Sequence, residues 1–511
     1  MRLLLTTFLF VAHGTALLAQ WDTATVSTKD FVVGVDARGS LFHTGSEIRS
    51  EYPANSGKHM MNYAGLWMMG ESGGTVFGAI NTGEGQAECW PGPVDTITGL
   101  PTTGGSWNRV WNLTDQDVLQ HRHSFNTAGY QPIEDIRDWP ASHSTPNVNP
   151  ILAPYIDWDL DGKYDPVQGD FPKLIGTTNA YFILNEGAGE HIVSGSPSMG
   201  IEVQGMAYTI NSKALQNVVF VRYHLINRSS RNYSTFKAGL FLDFALGNAN
   251  DNRIGTDVKN GFVYAYNGDL NDEGGYENQL PGAWAVFPKL TLDGSVGFSA
   301  SDAVRAMPST SEGLKNILSG KWSGGEPRTF GGKGYQTGEA TNFLYSGSTD
   351  DQISGFWADS TSGDAPGTRN VLMIHNFNGL NSGEYVTLDV AIGVGLENGQ
   401  PDAQRTQSVW TILNEFNVLG VDAISQNLGF RLYPNPVTAG EIITVDAGED
   451  EIIQLQLTDF LGRVVWESGP DEKKMRKITI PCSDALPDGV YQMNMKTTST
   501  ISSHKVLIHR R

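Results

Sequence analysis

Only two of the 511 residues are Cys, only 18% are Asp, Glu, Lys or Arg, and basic residues are outnumbered by acidic ones, 35 to 55. Each shortage excludes something. Two cysteines cannot make a disulfide-dense scaffold. Cys89 and Cys482 also fall in parts of the chain that read below as separate, so both are expected as free thiols or small buried apolar residues. The shortage of positive charge leaves a formal charge of −20, which argues against nucleic acid as a partner because an acidic surface repels phosphates. Ala, Glu and Lys are not enriched while Gly reaches 59, and that excludes a long coiled coil. Beyond the first twenty residues no apolar run approaches the roughly 20 residues that span a bilayer, so the mature chain is expected to have no transmembrane segment. No H-E-x-x-H, P-loop or dinucleotide fingerprint occurs. Gly331-Gly332-Lys333-Gly334 has neither the spacing nor a following helix.

What is present is apolar and aromatic enough (10% Phe, Trp and Tyr) to bury a core. Residues 1–19 read as a signal peptide: Arg2, then an apolar stretch from Leu3 to Ala12, then a small residue at Ala19. The body, 20–400, reads as β structure. Val386, Leu388, Val390, Ile392 and Val394 alternate with smaller or polar residues, and so do Val219, Val221, Tyr223 and Leu225. Phe236–Phe244 and Gly261–Asn267 are further strand candidates, and sub-boundaries are expected near 146 and 300. Helical spacing is confined to Asp402–Leu419, stopped by Gly420, and to Glu312–Leu318. A helix and linker thus occupy 401–427. From 428 to 511 a run of short strands with turn residues between them suggests a small Ig-like β-sandwich. The fold class is all-β, a large multi-part body with few helices followed by that sandwich. The tail holds ten basic and eleven acidic residues, so nearly all the excess acid belongs to the body.

The tail carries Tyr433-Pro434-Asn435-Pro436, Leu461-Gly462-Arg463, Asp488-Gly489-Val490-Tyr491 and a closing Lys505-Val506-Leu507-Ile508. In that order and spacing it resembles the C-terminal sorting domain of type IX secretion substrates of Bacteroidetes. The Asp-Gly pair suits a turn needing positive φ, after which Tyr491, Met493 and Met495 face one way. The resemblance implies export through the periplasm to the cell surface or medium. It implies the type IX machinery and a sorting peptidase as partners, and attachment to surface polysaccharide or release. The body, through Trp90-Pro91-Gly92-Pro93, Trp107-Asn108-Arg109-Val110-Trp111 and Gly200-Ile201-Glu202-Val203, resembles uncharacterised exported proteins with the same tail.

Two acidic regions suggest metal. Asp157, Asp159 and Asp161 precede Gly162 and Asp165. Carboxylates at alternate positions before a glycine turn can fold around a hard cation, and Ca²⁺ takes 6–8 oxygens. The EF-hand glutamate is replaced by Gln168, so the resemblance is to shorter DxDxDG calcium loops, closed by Asp165 or Asp170. A second set, Asp243, Asp251 and Asp257, lies among Asn and Gly residues and offers similar ligands. Four carboxylates within nine residues repel one another unless something neutralises them. Ca²⁺ as a structural cofactor is therefore the expectation.

Catalytic constellations read poorly. Gly70-Glu71-Ser72-Gly73-Gly74 fits G-x-S-x-G, but the strand-like Thr75–Ile80 after it makes Gly73-Gly74 a hairpin turn rather than a nucleophile elbow. His121 and His123 would share a face on a strand, yet two ligands make no zinc site. The Trp residues read as core rather than as a sugar platform. No catalytic residue is assigned. The expectation is an exported binding or structural protein with calcium-stabilised loops, and the alternative is an extracellular hydrolase of polysaccharide or protein.

Overall fold

Alternating side chains can be buried on both sides of a strand only if each side of its sheet is covered. The computed structural model describes residues 21–397 and 431–509, apart from short stretches at 45–46, 84–85, 103–104, 160, 337, 434–436, 439–440, 448–450, 459–463, 470–474, 483–488 and 498–500. In it the body holds two main antiparallel sheets. One has five strands in the order Gly294–Val296, Arg369–Asn376, Thr235–Phe244, Met61–Ser72, Thr75–Ile80. The other runs Asn252–Asp257, Phe262–Asn267, Leu280–Val286, Tyr385–Glu397, Val218–Asn227, Ile201–Thr209, Thr178–Asn185, Trp90–Pro91, and Trp111–Thr114 pairs with the seventh of these. The expected alternation holds: Val219, Val221, Tyr223, Leu225, Leu388, Val390, Ile392 and Val394 all enter one buried cluster with Trp67, Leu240 and Leu242 of the five-stranded sheet. Both sheets take strands from either side of residue 146 and of residue 300, so neither position separates them.

The opposite face of the larger sheet is covered as well. Val218, Phe220, Tyr181 and Tyr208 pack with Trp139, Leu152 and Tyr164 in a second cluster. Trp139 and Tyr181 have ring centroids 4.9 Å apart. The segment from about 105 to 175 therefore forms a third layer, and the 157–170 loop belongs to it. Seven of the body's Trp residues, among them Trp67, Trp139, Trp322 and Trp357, are buried, in keeping with a core role.

Ser72 ends one strand, and Gly73 and Gly74, at φ 58° and 81°, make the tight turn to Thr75–Ile80. His121 and His123 lie on a helix, Asp115–Ser124, and not on a strand. Positions two apart on a helix do not face each other, and only His121 is buried. The helix read at Glu312–Leu318 runs Ser311–Leu318, capped by the Thr310 hydroxyl, which accepts from Gly313 N–H. Residues 1–19, the helix read at 402–419, Pro434–Pro436 and Asp488 lie outside the described residues.

The tail is the expected small sandwich. Arg431–Tyr433, Ile442–Asp446 and Lys477–Pro481 form one sheet; Val437–Thr438, Ile501–His509, Gly489–Thr497, Ile452–Thr458 and Val464–Glu467 form the other. Tyr491, Met493 and Met495 all enter its core. A register shift between Ile452 and Gln454 turns Ile452 inward and leaves Ile453 38% exposed, a bulge ahead of the buried Leu455 and Leu457. Lys505 lies on the last strand, which pairs along its length with Gly489–Thr497. Cys89 and Cys482 are both buried and form no disulfide.

Candidate metal centre

The 157–170 loop is closed at its base by a two-rung ladder, Tyr155 opposite Pro172 and Ile156 opposite Phe171. That pairing brings Asp157, the first loop residue, back against Asp170, the last. Carboxylate oxygens of Asp157, Asp159 and Asp170 all lie within 4.8 Å of one another. Asp170 is fully buried. Its two oxygens accept from Trp158 N–H (2.6 Å) and Asp165 N–H (2.7 Å), which locks its orientation. Asp157 accepts from Asp161 N–H and Gly162 N–H, the latter at 2.8 Å. Gly162 sits at φ 82°, a conformation that side chains disfavour. Gly169 is held as tightly: a Cβ there would come within 2.8 Å of Phe125 and Trp158.

Asp161 and Asp165 do not join the three. An Asp161 oxygen accepts from Lys163 N–H at 2.8 Å. Asp165 caps the short 3₁₀ turn Pro166–Gln168, accepting from Val167 N–H at 3.0 Å and from the Gln168 amide. The closing carboxylate is thus Asp170, one of the two residues the spacing left open. The signal for it is tertiary: His121 Nε2–H, on the helix behind, donates to the Asp170 carbonyl at 2.9 Å.

Electrostatics match this crowding. Burial, reinforced by Asp157 and Asp159, pushes the Asp170 carboxyl up to about 6 against its two backbone hydrogen bonds. One cation approaches from the tail. Lys496 Nζ donates to the Trp158 carbonyl and lies 4.6 Å from the centroid of the Trp158 ring. Burial lowers the Lys496 ammonium while Asp159, Asp157 and Asp170 oppose that.

The second acidic set is not brought together. Asp243 is on a central strand of the smaller sheet and accepts from the Asn62 amide at 3.2 Å. Asp257 ends the strand Asn252–Asp257, whereas Asp251 precedes its start, so about 16–20 Å of extended chain separates them. Asp257 accepts from Asn260 N–H and its side-chain amide, which organises a turn. Asp251 has other company: burial, then Asp272 and Asp269, pushes it up to about 6. Asp272 in turn is buried and accepts from Asn248 N–H and Tyr276 N–H. These residues build turns and do not converge on one point.

Comparison with known proteins places the tail. Residues 431–509 match the family described as "Secretion system C-terminal sorting domain". The chain therefore carries a type IX sorting domain, engages the type IX machinery and is exported to the cell surface or secreted. Tyr433, Gly489, Tyr491 and Lys505 fall within the match. No curated protein matches the chain. A solved polysaccharide lyase aligns at 9% identity and a TM-score of 0.21, covering 65% of this chain and 35% of the lyase, a likeness too slight to argue from. No helix among the described residues is long and apolar enough to cross a membrane.

Proposed function

We propose that the exported body is a binding or structural module and that its 157–170 loop holds a structural Ca²⁺. The convergence of Asp157, Asp159 and Asp170 supports this reading. Their chemistry fits the ion: all are hard, anionic oxygens, with Asp170 pre-oriented by two backbone donors, and the carbonyls of the loop are of the same class. A divalent cation would relieve the repulsion that burial imposes on Asp170. Millimolar calcium outside a cell suffices for sites of modest affinity. The sorting peptidase is the expected partner at the end of export, and surface polysaccharide the expected anchor where the body is retained.

Thermal unfolding tests the calcium reading. A ligand that binds only the folded state stabilises it by about 2.7 kcal/mol at a hundredfold excess over Kd. Calcium should therefore raise the melting temperature of the full chain, and a chelator should lower it again. Superposable melts with calcium and with chelator would overturn the assignment.

A further inference from the structure

At one end of the five-stranded sheet is a cleft of about 750 Å³ whose charge is opposite to that of the chain. Its wall is built from Lys237 and Asn376, opposite each other in register, from His375, and from Asp293 at the start of the short edge strand. Arg328 closes it beneath the C-terminal end of the helix Ser311–Leu318.

Arg328 is only 1% exposed, and no described carboxylate pairs with it. Its guanidinium donates to the carbonyls of Ile317 (2.9 Å), Lys321 (3.1 Å) and Asn342 (3.2 Å). A guanidinium has five N–H groups, so two are left over, and the buried Nε has no acceptor. Carbonyl dipoles solvate the charge without cancelling it. Burial alone pushes this group down to about 9. Lys237 adds a second cation: Nζ donates to the Leu318 carbonyl at 2.8 Å and to Ser319 Oγ at 3.3 Å, leaving one ammonium hydrogen. Burial lowers Lys237 as well, against the pull of Glu71 and Asp293, with Arg328 adding to the lowering.

The single carboxylate in the cleft is already engaged. Asp293 accepts from Thr291 Oγ1 (2.8 Å) and from Asn376 N–H (2.9 Å), and lies 3.0 Å from His375 Nδ1. With Nδ1 directed at Asp293 and at the Thr291 carbonyl, His375 keeps Nε2 for another partner. The T-shaped contact with Phe377, at 4.6 Å between centroids, fixes its ring.

A buried charge is tolerated when something of opposite sign compensates it. Here one buried cation, Arg328, and one half-buried cation, Lys237, face one satisfied carboxylate. The remaining lining mixes amides and hydroxyls with two phenylalanine rings and the aliphatic side chains of Leu292, Leu318 and Ile374, so it offers a sugar both hydrogen bonds and apolar faces. We infer that this cleft binds a compact oxyanion, carboxylate or sulfate, carried on a molecule of sugar size. Lys237 contacts the anion directly, and Arg328 supplies a fixed positive field behind it.

Calorimetric titration of the full chain with glucuronate, glucose 6-sulfate, glucose and inorganic sulfate tests this. Both acidic sugars should bind, sulfate alone should bind more weakly, and glucose should give no heat. Arg328 variants risk misfolding, because three carbonyls depend on that side chain, so Lys237 and Asp293 carry the mutational arm. Lys237→Gln should weaken both acidic sugars about tenfold or more. Asp293→Asn, which removes the carboxylate charge from the lining and keeps an oxygen that can accept from Asn376 N–H, should tighten them, whereas a purely structural role would lower stability and leave affinity no better. Absence of binding by every anion, equal binding of glucose, or sulfate binding as tight as the sugars would each overturn the inference.

Discussion

The acidic loop and the cationic cleft are both places where the body holds more charge of one sign than its own residues neutralise, and they handle it differently. In the loop three carboxylates converge beside the two-rung ladder that closes its base, and a cation from the tail, Lys496, already leans on Trp158. In the cleft the surplus charge is buried, backbone carbonyls share it, and the one acid nearby is committed to Thr291, Asn376 and His375. Asp159 is exposed and Asp157 half-buried, so water and salt screen part of the repulsion in the loop, and of the three only Asp170 is buried. A buried guanidinium has no such relief and must be held by geometry. The loop should therefore respond to ions through stability and the cleft through affinity.

The largest expected effect concerns the tail that links export to the loop. Deleting 428–511 should abolish surface delivery and leave the body in the periplasm, measured by protease accessibility on whole cells. Normal display of the truncated chain would break the link between this domain and export. Next in size is Asp170→Ala. It leaves Trp158 N–H and Asp165 N–H without their acceptor. Allowing for relieved repulsion, the net cost is about 2 kcal/mol in calcium-free buffer, and the calcium-dependent rise in melting temperature should vanish. The pH dependence of the parent protein sharpens this. Asp170 rises from 3.8 to about 6 on folding, so the folded state binds the extra proton between those values. Stability in calcium-free buffer should fall as pH rises from about 4 to about 6 and level off above. Asp251, pushed up to about the same value, contributes in the same direction. Asp170→Asn should accordingly reduce the slope rather than remove it.

Much of this was legible in the sequence, and the failures share one physical cause. Long strands such as Val218–Asn227 and Tyr385–Glu397 announce themselves because both faces are buried and side chains alternate over many residues. The helix Asp115–Ser124 does not, since only Val118 and His121 are buried and no apolar stripe marks a 3.6-residue period. In the loop, Asp157 and Asp159 are set by local spacing. The third member depends on Tyr155–Ile156 pairing with Phe171–Pro172, which spacing does not encode. Asp251 and Asp257 look like neighbours in sequence, yet a strand intervenes. The cleft is harder still: Lys237, Asp293, Arg328 and His375 come from four separated segments. Nothing local to Arg328 signals that its charge is buried without a counter-ion.

The smallest effect tests whether the tail and a metal ion compete for the loop. Lys496 offers the Trp158 carbonyl a hydrogen bond and the Trp158 ring a cation, in the field of Asp157, Asp159 and Asp170. The contact is partly exposed, so Lys496→Met should cost the full chain no more than about 1 kcal/mol. An ammonium in that field nevertheless offsets part of the repulsion that a divalent ion would relieve, and the two cations oppose each other at short range. Removing it should therefore tighten calcium binding by a few fold in titration calorimetry, even as the calcium-free protein becomes slightly less stable. Those opposite signs are the point of the experiment. A mutation that merely damaged the tail would lower stability and leave the affinity of the loop where it was. An unchanged calcium affinity would mean that Lys496 rests on Trp158 as packing and that the loop's charge is screened by solvent alone.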